Sequence, residues 1–214
     1  MSTVAPAILA ENTETYKQQI DSIREFATRA HIDVSDGEFA PNFTVNAADL
    51  WWPEEWQVDI HAMVQRPEEH LATFVQLKPS LVIFHAEAEG NLPGVFATLK
   101  QYNIRAGLAL LRHTVPDTVA PLIEQADHVM IFTGELGRYG GTASMMQLEK
   151  VRLVKRINPD VEIGWDGGVN VDNAYTLTQG GVNVLNVGGA IQRAASPSAI
   201  YHELVAETHK KGVL

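Results

Sequence analysis

The sequence predicts an α/β fold, a (β/α)8 barrel that forms a single domain over residues 1–214. Short apolar runs alternate eight times with longer amphipathic stretches, at about 27 residues per repeat, which suits the size of this fold. Runs such as LVIF and HVMIF are continuously apolar, as in a parallel sheet covered by helices. No Pro-rich or Ser-rich linker divides the chain. A doubly wound open sheet of similar length is the alternative.

The first part of the chain predicts five strands and five helices. Asn12 or Thr13 can cap the first helix, and Pro67 suits the first turn of the third. Gly90 precedes the fourth helix. The predicted strands are 4–9, 30–34, 57–63, 81–85 and 105–110, and the predicted helices are 13–28, 46–52, 67–76, 92–102 and 116–125.

The rest of the chain continues the alternation and brings the totals to eight strands and eight helices. A glycine-rich loop follows the sixth strand. The remaining predicted strands are 128–132, 161–165 and 182–187, and the remaining helices are 144–157, 173–179 and 197–210.

Composition excludes several classes of protein. The formal net charge is −10, which argues against a general nucleic-acid binder, because such binding depends on basic contacts to phosphates. The absence of cysteine excludes disulfides, Cys-ligated zinc and iron–sulfur clusters. No run of 18 apolar residues occurs, and residues 1–10 lack the basic region of a signal peptide. We therefore expect a cytoplasmic protein without a membrane or nucleic-acid partner.

Ionisable side chains gather at the predicted carboxyl ends of the strands, where a closed barrel holds its chemistry. His31 and Asp33 share one face of the second strand because strand side chains alternate with a period of two. His61 ends the third strand, and Asp166 follows the seventh. Each residue alone is open to a structural role. Together, two imidazoles and two carboxylates suit one divalent metal ion, zinc first, with manganese, iron or cobalt as alternatives.

Glycine pairs follow three successive strands. Glycine lets backbone N–H groups approach an anion, and loops after strands seven and eight commonly bind phosphate in this fold. Tight turns are the alternative explanation. The pairs are Gly140 and Gly141, Gly167 and Gly168, and Gly188 and Gly189.

With these features in place, the sequence resembles the ribulose-phosphate 3-epimerase family. The resemblance runs through nearly the whole chain in the family's order, and the block that begins at His31 is its most specific part. The matching segments are APAILA (5–10), HIDVSDGEFAPNFT (31–44), DIHAMV (59–64), FHAEA (84–88), GLAL (107–110), DGGV (166–169) and VGGAI (187–191).

The resemblance implies a (β/α)8 barrel that binds one divalent metal, often zinc, and interconverts D-ribulose 5-phosphate and D-xylulose 5-phosphate in the pentose phosphate pathway. The family's metal ligands match His31, Asp33, His61 and Asp166. Its two acid/base carboxylates match Asp33 and Asp166, which would exchange roles with the direction of reaction. Its phosphate-contacting glycines match Gly140, Gly141, Gly168 and Gly188, while Gly189 replaces a usual serine.

The sequence departs from the family pattern around the expected substrate. Ala7 replaces a serine, and Ser35 and Thr133 replace methionines. Of the methionines that cap the site in the family, only Met63 is kept here. We assign Met63 and His85 to substrate contacts. The loops Arg112-His113 and Leu136-Gly137-Arg138 also differ, and Arg138 either pairs with phosphate or points to solvent.

These departures leave alternatives open. One is epimerisation of another ketose phosphate, such as a hexulose 6-phosphate. Others are a non-catalytic barrel that binds a phosphorylated sugar and a metal-dependent hydrolase. Trp51, Trp52 and Trp56 either cover the site, form a subunit interface or pack on the barrel, and we expect a homo-oligomer.

Overall fold

A computed structural model describes residues 2–210 of the chain as a closed barrel. Eight parallel strands pair in chain order, and the eighth strand pairs with the first. The predicted fold class is therefore confirmed. Positions 1 and 211–214 of the predicted domain lie outside the described residues. The strands are β1 (Thr3–Ile8), β2 (Arg29–Ser35), β3 (Gln57–Met63), β4 (Leu81–His85), β5 (Arg105–Leu110), β6 (His128–Phe132), β7 (Glu162–Asp166) and β8 (Val184–Val187).

Helices connect most successive strands. They are α1 (Thr13–Ile23), α2 (Pro67–Leu77), α3 (Leu92–Gln101), α4 (Ala120–Gln125), α5 (Leu148–Ile157), α6 (Val171–Gln179), α7 (Gly189–Gln192) and α8 (Pro197–His209). Short 3-10 helices cover Ala47–Asp49, Pro116–Val119 and Met145–Gln147.

Several of these elements differ from the predicted helices, and α1 ends at Ile23, earlier than the predicted helix 13–28. The helix predicted over 46–52 reduces to the single turn Ala47–Asp49, where the Asn46 side chain accepts a hydrogen bond from the Ala48 backbone. Helix α6 begins earlier than predicted because Asn170 and Asn173 form a reciprocal capping box. The short helix α7, which begins at Gly189, was not predicted.

The inside of the barrel is filled rather than open. Leu81, Ile83, Ala109, Met130 and Phe132 form a compact cluster inside the ring of strands. Gly164 makes room for the neighbouring His128, because a Cβ atom there would lie 2.3 Å from Nε2 of His128. Outside the ring, apolar faces of the helices pack on the outward side chains of the strands.

A buried ion network closes the amino-terminal end of the barrel. Arg29 donates to Asp59 at 2.7 Å and forms two hydrogen bonds of 2.9 Å with Glu162. Arg105 contacts the same carboxylate at 3.1 Å, and His128 contacts it at 2.9 Å. These charge-assisted hydrogen bonds therefore offset the free-energy cost of burying the Arg29 guanidinium.

The tryptophans between β2 and β3 take different positions. Trp56 is buried in the core, whereas Trp51 is 40% exposed and packs edge-on against Tyr16. Association of copies through this surface stays a prediction. None of the helices within residues 2–210 is long and apolar enough to cross a membrane.

Candidate active site

The structure brings His31, Asp33, His61 and Asp166 together at the carboxyl ends of β2, β3 and β7. One potential ligand atom from each residue lies within 4.8 Å of the others. Strand register aligns Asp33 with His61, and the period of two turns these side chains into the barrel. Nδ1 of His61 lies 2.8 Å from Oδ1 of Asp33 and 3.8 Å from Oδ2 of Asp166. Nε2 of His31 lies 3.5 Å and 3.9 Å from the same two carboxylates.

The pKa values of the two carboxylates, Asp33 and Asp166, are shifted in opposite directions. Burial opposes ionisation of Asp33, but its close contacts with the imidazoles of His31 and His61 hold the pKa of Asp33 well below its usual range. Burial raises the pKa of Asp166, and the negative charge of Asp33 raises it further. Pairs of titratable groups whose pKa values are pushed apart commonly divide acid and base roles. Without a cation in the site, Asp33 therefore loses its proton more readily than Asp166 does.

The donor set fits a divalent cation. Both ring nitrogens of His31 are buried without a hydrogen-bond partner in the described part of the chain, which is costly for an imidazole. Its Nε2 faces the two carboxylates, which have only 10% and 16% of their side-chain area exposed. A cation among these atoms would satisfy His31 and neutralise two buried negative charges. The cluster can thus hold a metal, although its geometry does not select one.

His85 lies behind His61. Its Nε2 atom is 2.8 Å from Nε2 of His61, and its ring is fully buried. Phe39 and Phe132 cover it, with ring centroids 4.6 Å and 5.6 Å away. We predicted His85 as a substrate contact, but the structure places it against a candidate metal ligand.

A cavity of about 210 Å³ opens directly above the cluster. Asp33 and Asp166 line it, Met63 adds an apolar wall, and the exposed Arg138 lies at its rim. Every predicted phosphate-binding glycine lines it as well: Gly140, Gly141, Gly167, Gly168, Gly188 and Gly189. The predicted site residues other than His31, His61 and His85 therefore share one cavity.

Close backbone packing explains the glycines after β7. A Cβ atom on Gly167 would lie 2.0 Å from the Gly134 nitrogen, and its φ of +106° disfavours other residues. A Cβ atom on Gly168 would lie 2.2 Å from the Ala143 nitrogen. This pair consequently shapes the floor beneath the loop 134–143 while lining the cavity.

The departures from the family pattern are tied into the structure. Ser35 donates to the Asn42 carbonyl at 2.6 Å, and Thr133 donates to the Gly167 carbonyl at 2.8 Å. Arg112 donates to the Thr133 and Thr142 carbonyls, so it clamps both ends of the β6 loop. His113 lines a separate surface cavity with Leu136. These residues organise loops around the site.

Several residues that line the cavity were not predicted from the sequence, among them Tyr139, Asn186 and Arg193. Tyr139 reaches across to β1, where its hydroxyl donates to the Ala7 carbonyl and accepts from the Leu9 amide at 2.6 Å. Asn186 lies at an inward position of β8, and its place between apolar residues was a usable signal. Arg193 follows α7 at the rim. Nothing in the local pattern around Tyr139 or Arg193 predicted these positions.

Comparisons with known sequences point to one family. The family model described as "Ribulose-phosphate 3 epimerase family" matches residues 3–192. The ribulose-phosphate 3-epimerase of Helicobacter pylori strain 26695 is 31% identical over 195 residues, covering 88% of this chain and 89% of that protein. That of Bacillus subtilis is 29% identical over 200 residues, covering 89% and 92%.

Solved structures share the fold at lower identity. The 3-hexulose-6-phosphate synthase of Salmonella typhimurium has a TM-score of 0.70 at 16% identity, covering 96% of this chain and 98% of its own. A structure titled KGPDC from Streptococcus mutans has a TM-score of 0.72 at 12% identity, covering 97% of each chain. These likenesses concern the barrel alone.

Proposed function

Because this chain belongs to the ribulose-phosphate 3-epimerase family, it is an isomerase, and we propose that it interconverts D-ribulose 5-phosphate and D-xylulose 5-phosphate. The observation that carries this proposal is the pair Asp33 and Asp166. The two carboxylates come from β2 and β7 and face one small cavity, so they can serve opposite faces of a bound substrate carbon. Epimerisation requires such a pair, because a proton leaves one face and returns on the other.

We propose that His31, Asp33, His61 and Asp166 hold one divalent ion, with zinc as the first candidate. When bound, such an ion polarises the ketose carbonyl and stabilises the negative charge that develops on its oxygens. Two observations support this assignment. The negative charges of the two carboxylates are only partly compensated by neighbouring groups, and the ring nitrogens of His31 have no hydrogen-bond partner in the described residues.

The proton transfers divide between the two carboxylates. An ionised Asp33 removes the proton from C3 of one epimer, which leaves an enediolate in the substrate. A protonated Asp166 then donates its proton to the opposite face of C3. The reverse reaction uses the same groups in exchanged roles.

The substrate phosphate belongs at the glycine-lined side of the cavity. The first amides of a helix have no intrahelical acceptor, and α7 begins at Gly189 beside Gly188. Gly140, Gly141 and Gly168 line the same side, and Arg138 can add a charge-assisted contact through its guanidinium. Backbone amides at these glycines would bind a phosphate without a broadly basic surface, which is compatible with the net charge of −10.

The variants Asp33→Asn and Asp166→Asn test the two-carboxylate mechanism. Each should lower net epimerisation by about 10² to 10⁴-fold, the usual contribution of a general acid or base. Each should also retain deuterium exchange at C3 of one epimer only, because one proton-transferring group remains. NMR in D₂O, on samples whose metal content matches wild type, measures both quantities.

Asp21→Asn, on the exposed face of α1, is the matched control and should behave as wild type. Near-normal turnover of metal-loaded Asp166→Asn would refute the assignment. A barrel that only binds the sugar phosphate would give no exchange even in the wild-type protein.

A further inference from the structure

We propose that His85 and Glu87 are positioning residues that fix the tautomer of His61 and so direct its Nδ1 lone pair toward the cation. This inference rests on the proposed function, because it takes His61 as a metal ligand. It reassigns His85 from substrate contact to support of the site. Neither residue needs to touch the substrate.

The contact between the two imidazoles limits where protons can be. Nε2 of His61 and Nε2 of His85 lie 2.8 Å apart, so one nitrogen must donate a proton and the other accept it. On its other side, His61 presents Nδ1 to Asp33 and Asp166. When a cation takes the place of the proton that Nδ1 otherwise shares with Asp33, a neutral His61 that ligates through Nδ1 carries its proton on Nε2. His85 must then accept at Nε2 and carry its own proton on Nδ1.

Glu87 selects that tautomer of His85. Its Oε2 atom lies 3.4 Å from Nδ1 of His85, and both atoms are buried without a hydrogen-bond partner in the described residues, so each is the nearest polar group that could satisfy the other. Burial opposes ionisation of Glu87, but its contacts with His85 and Thr114 lower its pKa, so it is a carboxylate at neutral pH. A carboxylate can only accept, so Nδ1 of His85 faces it with a proton.

The loop after β5 fixes the orientation of Glu87. Its Oε1 atom accepts from the Leu111 amide at 3.1 Å and also from the Thr114 hydroxyl. Leu111 and Thr114 flank Arg112-His113, where the sequence departs from the family pattern. Lys150 holds this loop in turn by donating to the Leu111 and Arg112 carbonyls at 2.6 Å and 3.0 Å.

The substitution Glu87→Gln keeps the volume of the side chain but replaces one hydrogen-bond-accepting oxygen with an NH₂ group that donates. The Leu111 amide can only donate, so the new amide oxygen should stay beside it. The new NH₂ group then faces Nδ1 of His85, which must become an acceptor. His85 would carry its proton on Nε2, against the Nε2 proton that His61 needs for ligation.

The test measures zinc binding and imidazole tautomers rather than turnover. Competition with a chromophoric chelator gives the Zn²⁺ dissociation constant, and long-range ¹H–¹⁵N NMR of zinc-loaded protein reports which ring nitrogens carry protons. Glu87→Gln should weaken Zn²⁺ binding about 10 to 100-fold, as loss of such a supporting contact does elsewhere. Glu89→Gln, an exposed carboxylate two residues along the same loop, is the matched control and should bind as wild type.

A second pair of variants covers the case in which Glu87→Gln folds poorly. His85→Gln retains an oxygen that can accept from Nε2 of His61, whereas His85→Leu does not. Binding by His85→Gln should therefore lie closer to wild type than binding by His85→Leu. Equal zinc affinity of wild type and Glu87→Gln, with unchanged tautomers, would overturn the inference.

Failure of this inference is distinguishable from failure of the proposed function. If wild type binds zinc with the stated tautomers but no ketose phosphate exchanges its proton, only the epimerase proposal fails. If an active enzyme shows Nδ1 of His85 unprotonated, only the positioning role fails.

Discussion

Replacing Glu162 with glutamine should destabilise the barrel without altering its chemistry. Glu162 lies in the amino-terminal ion network, where it contacts Arg29, Arg105 and His128. It precedes Asp166 by four residues on β7, a separation of about 13 Å at 3.3 Å per residue. Glutamine keeps the volume of the side chain but removes the charge that compensates Arg29, whose side chain is 8% exposed.

The expected cost follows from this burial. Removing one partner of a buried ion pair lowers the free energy of unfolding by roughly 3–5 kcal/mol, because the other charge is left uncompensated. Asp59 still contacts Arg29, and Glu162 itself is 24% exposed, so the lower end of that range applies. A loss of about 3 kcal/mol corresponds to a decrease in Tm of about 6–12 °C for a chain of this size.

The cost should depend on pH in a defined direction. Burial alone would raise the pKa of Glu162, but hydrogen bonds from Arg29 and His128 hold that pKa well below its ordinary value of 4.5. The unfolded chain therefore takes up this proton at higher pH than the folded chain does. Wild-type stability from Glu162 is complete above pH 4.5 and is lost as the pH falls. The difference in the free energy of unfolding between wild type and Glu162→Gln should therefore shrink as the pH falls.

Urea unfolding followed by circular dichroism measures the free energy of unfolding at pH 7 and at pH 4. The control is Asp117→Asn, which breaks a surface pair with Arg156 in which both side chains are 56% exposed. It should cost about 0–1 kcal/mol. A cost below about 1 kcal/mol for Glu162→Gln would refute the assignment of this network as a stabilising element.

Three further predictions concern the site. Arg138→Met should raise KM for the sugar phosphate about tenfold with little change in kcat, as expected for loss of uniform binding; unchanged steady-state kinetics would place Arg138 in solvent. Gly167→Ala should cost about 2–4 kcal/mol in urea unfolding, since its Cβ meets the Gly134 backbone. Gly140→Ala has a similar φ of +115° but open space, so it should cost only about 1 kcal/mol, and equal costs would contradict the packing argument. Burial lowers the pKa of His85 to about 4, so NMR should find a neutral His85 ring at pH 5; a midpoint near 6.5 would contradict its burial.

Much of the barrel and its reactive centre follows from sequence periodicity. The period of two places His31 and Asp33 on one face, and the carboxyl-end rule brings His61 and Asp166 to the same mouth. The ion network at the amino-terminal end of the barrel could also have been predicted from the sequence. Arg29 and Glu162 stand two and four residues before His31 and Asp166 on the same strand faces, so a second inward polar layer was implied.

Other features depend on contacts that periodicity does not encode. Alternation turns His85 inward, but Phe39, one of the two phenylalanines that cover it, comes from the loop after β2, which has no regular repeat. Tyr139 reaches β1 across 132 residues of sequence to contact Ala7. Helix 46–52 reduced to one turn because local capping at Asn46 is satisfied by a 3-10 turn. Such long-range or loop-borne contacts decide which inward residues line the cavity and which support it.

Solvent exchange at C3 of the substrate tests the central claim most directly. Metal-loaded wild-type protein is incubated with D-ribulose 5-phosphate in D₂O, and deuterium at C3 and formation of D-xylulose 5-phosphate are followed by NMR. We predict deuterium in the product at C3 and loss of both signals when a chelator removes the ion. Absence of exchange from metal-loaded protein, or exchange that survives complete removal of metal, would contradict the account.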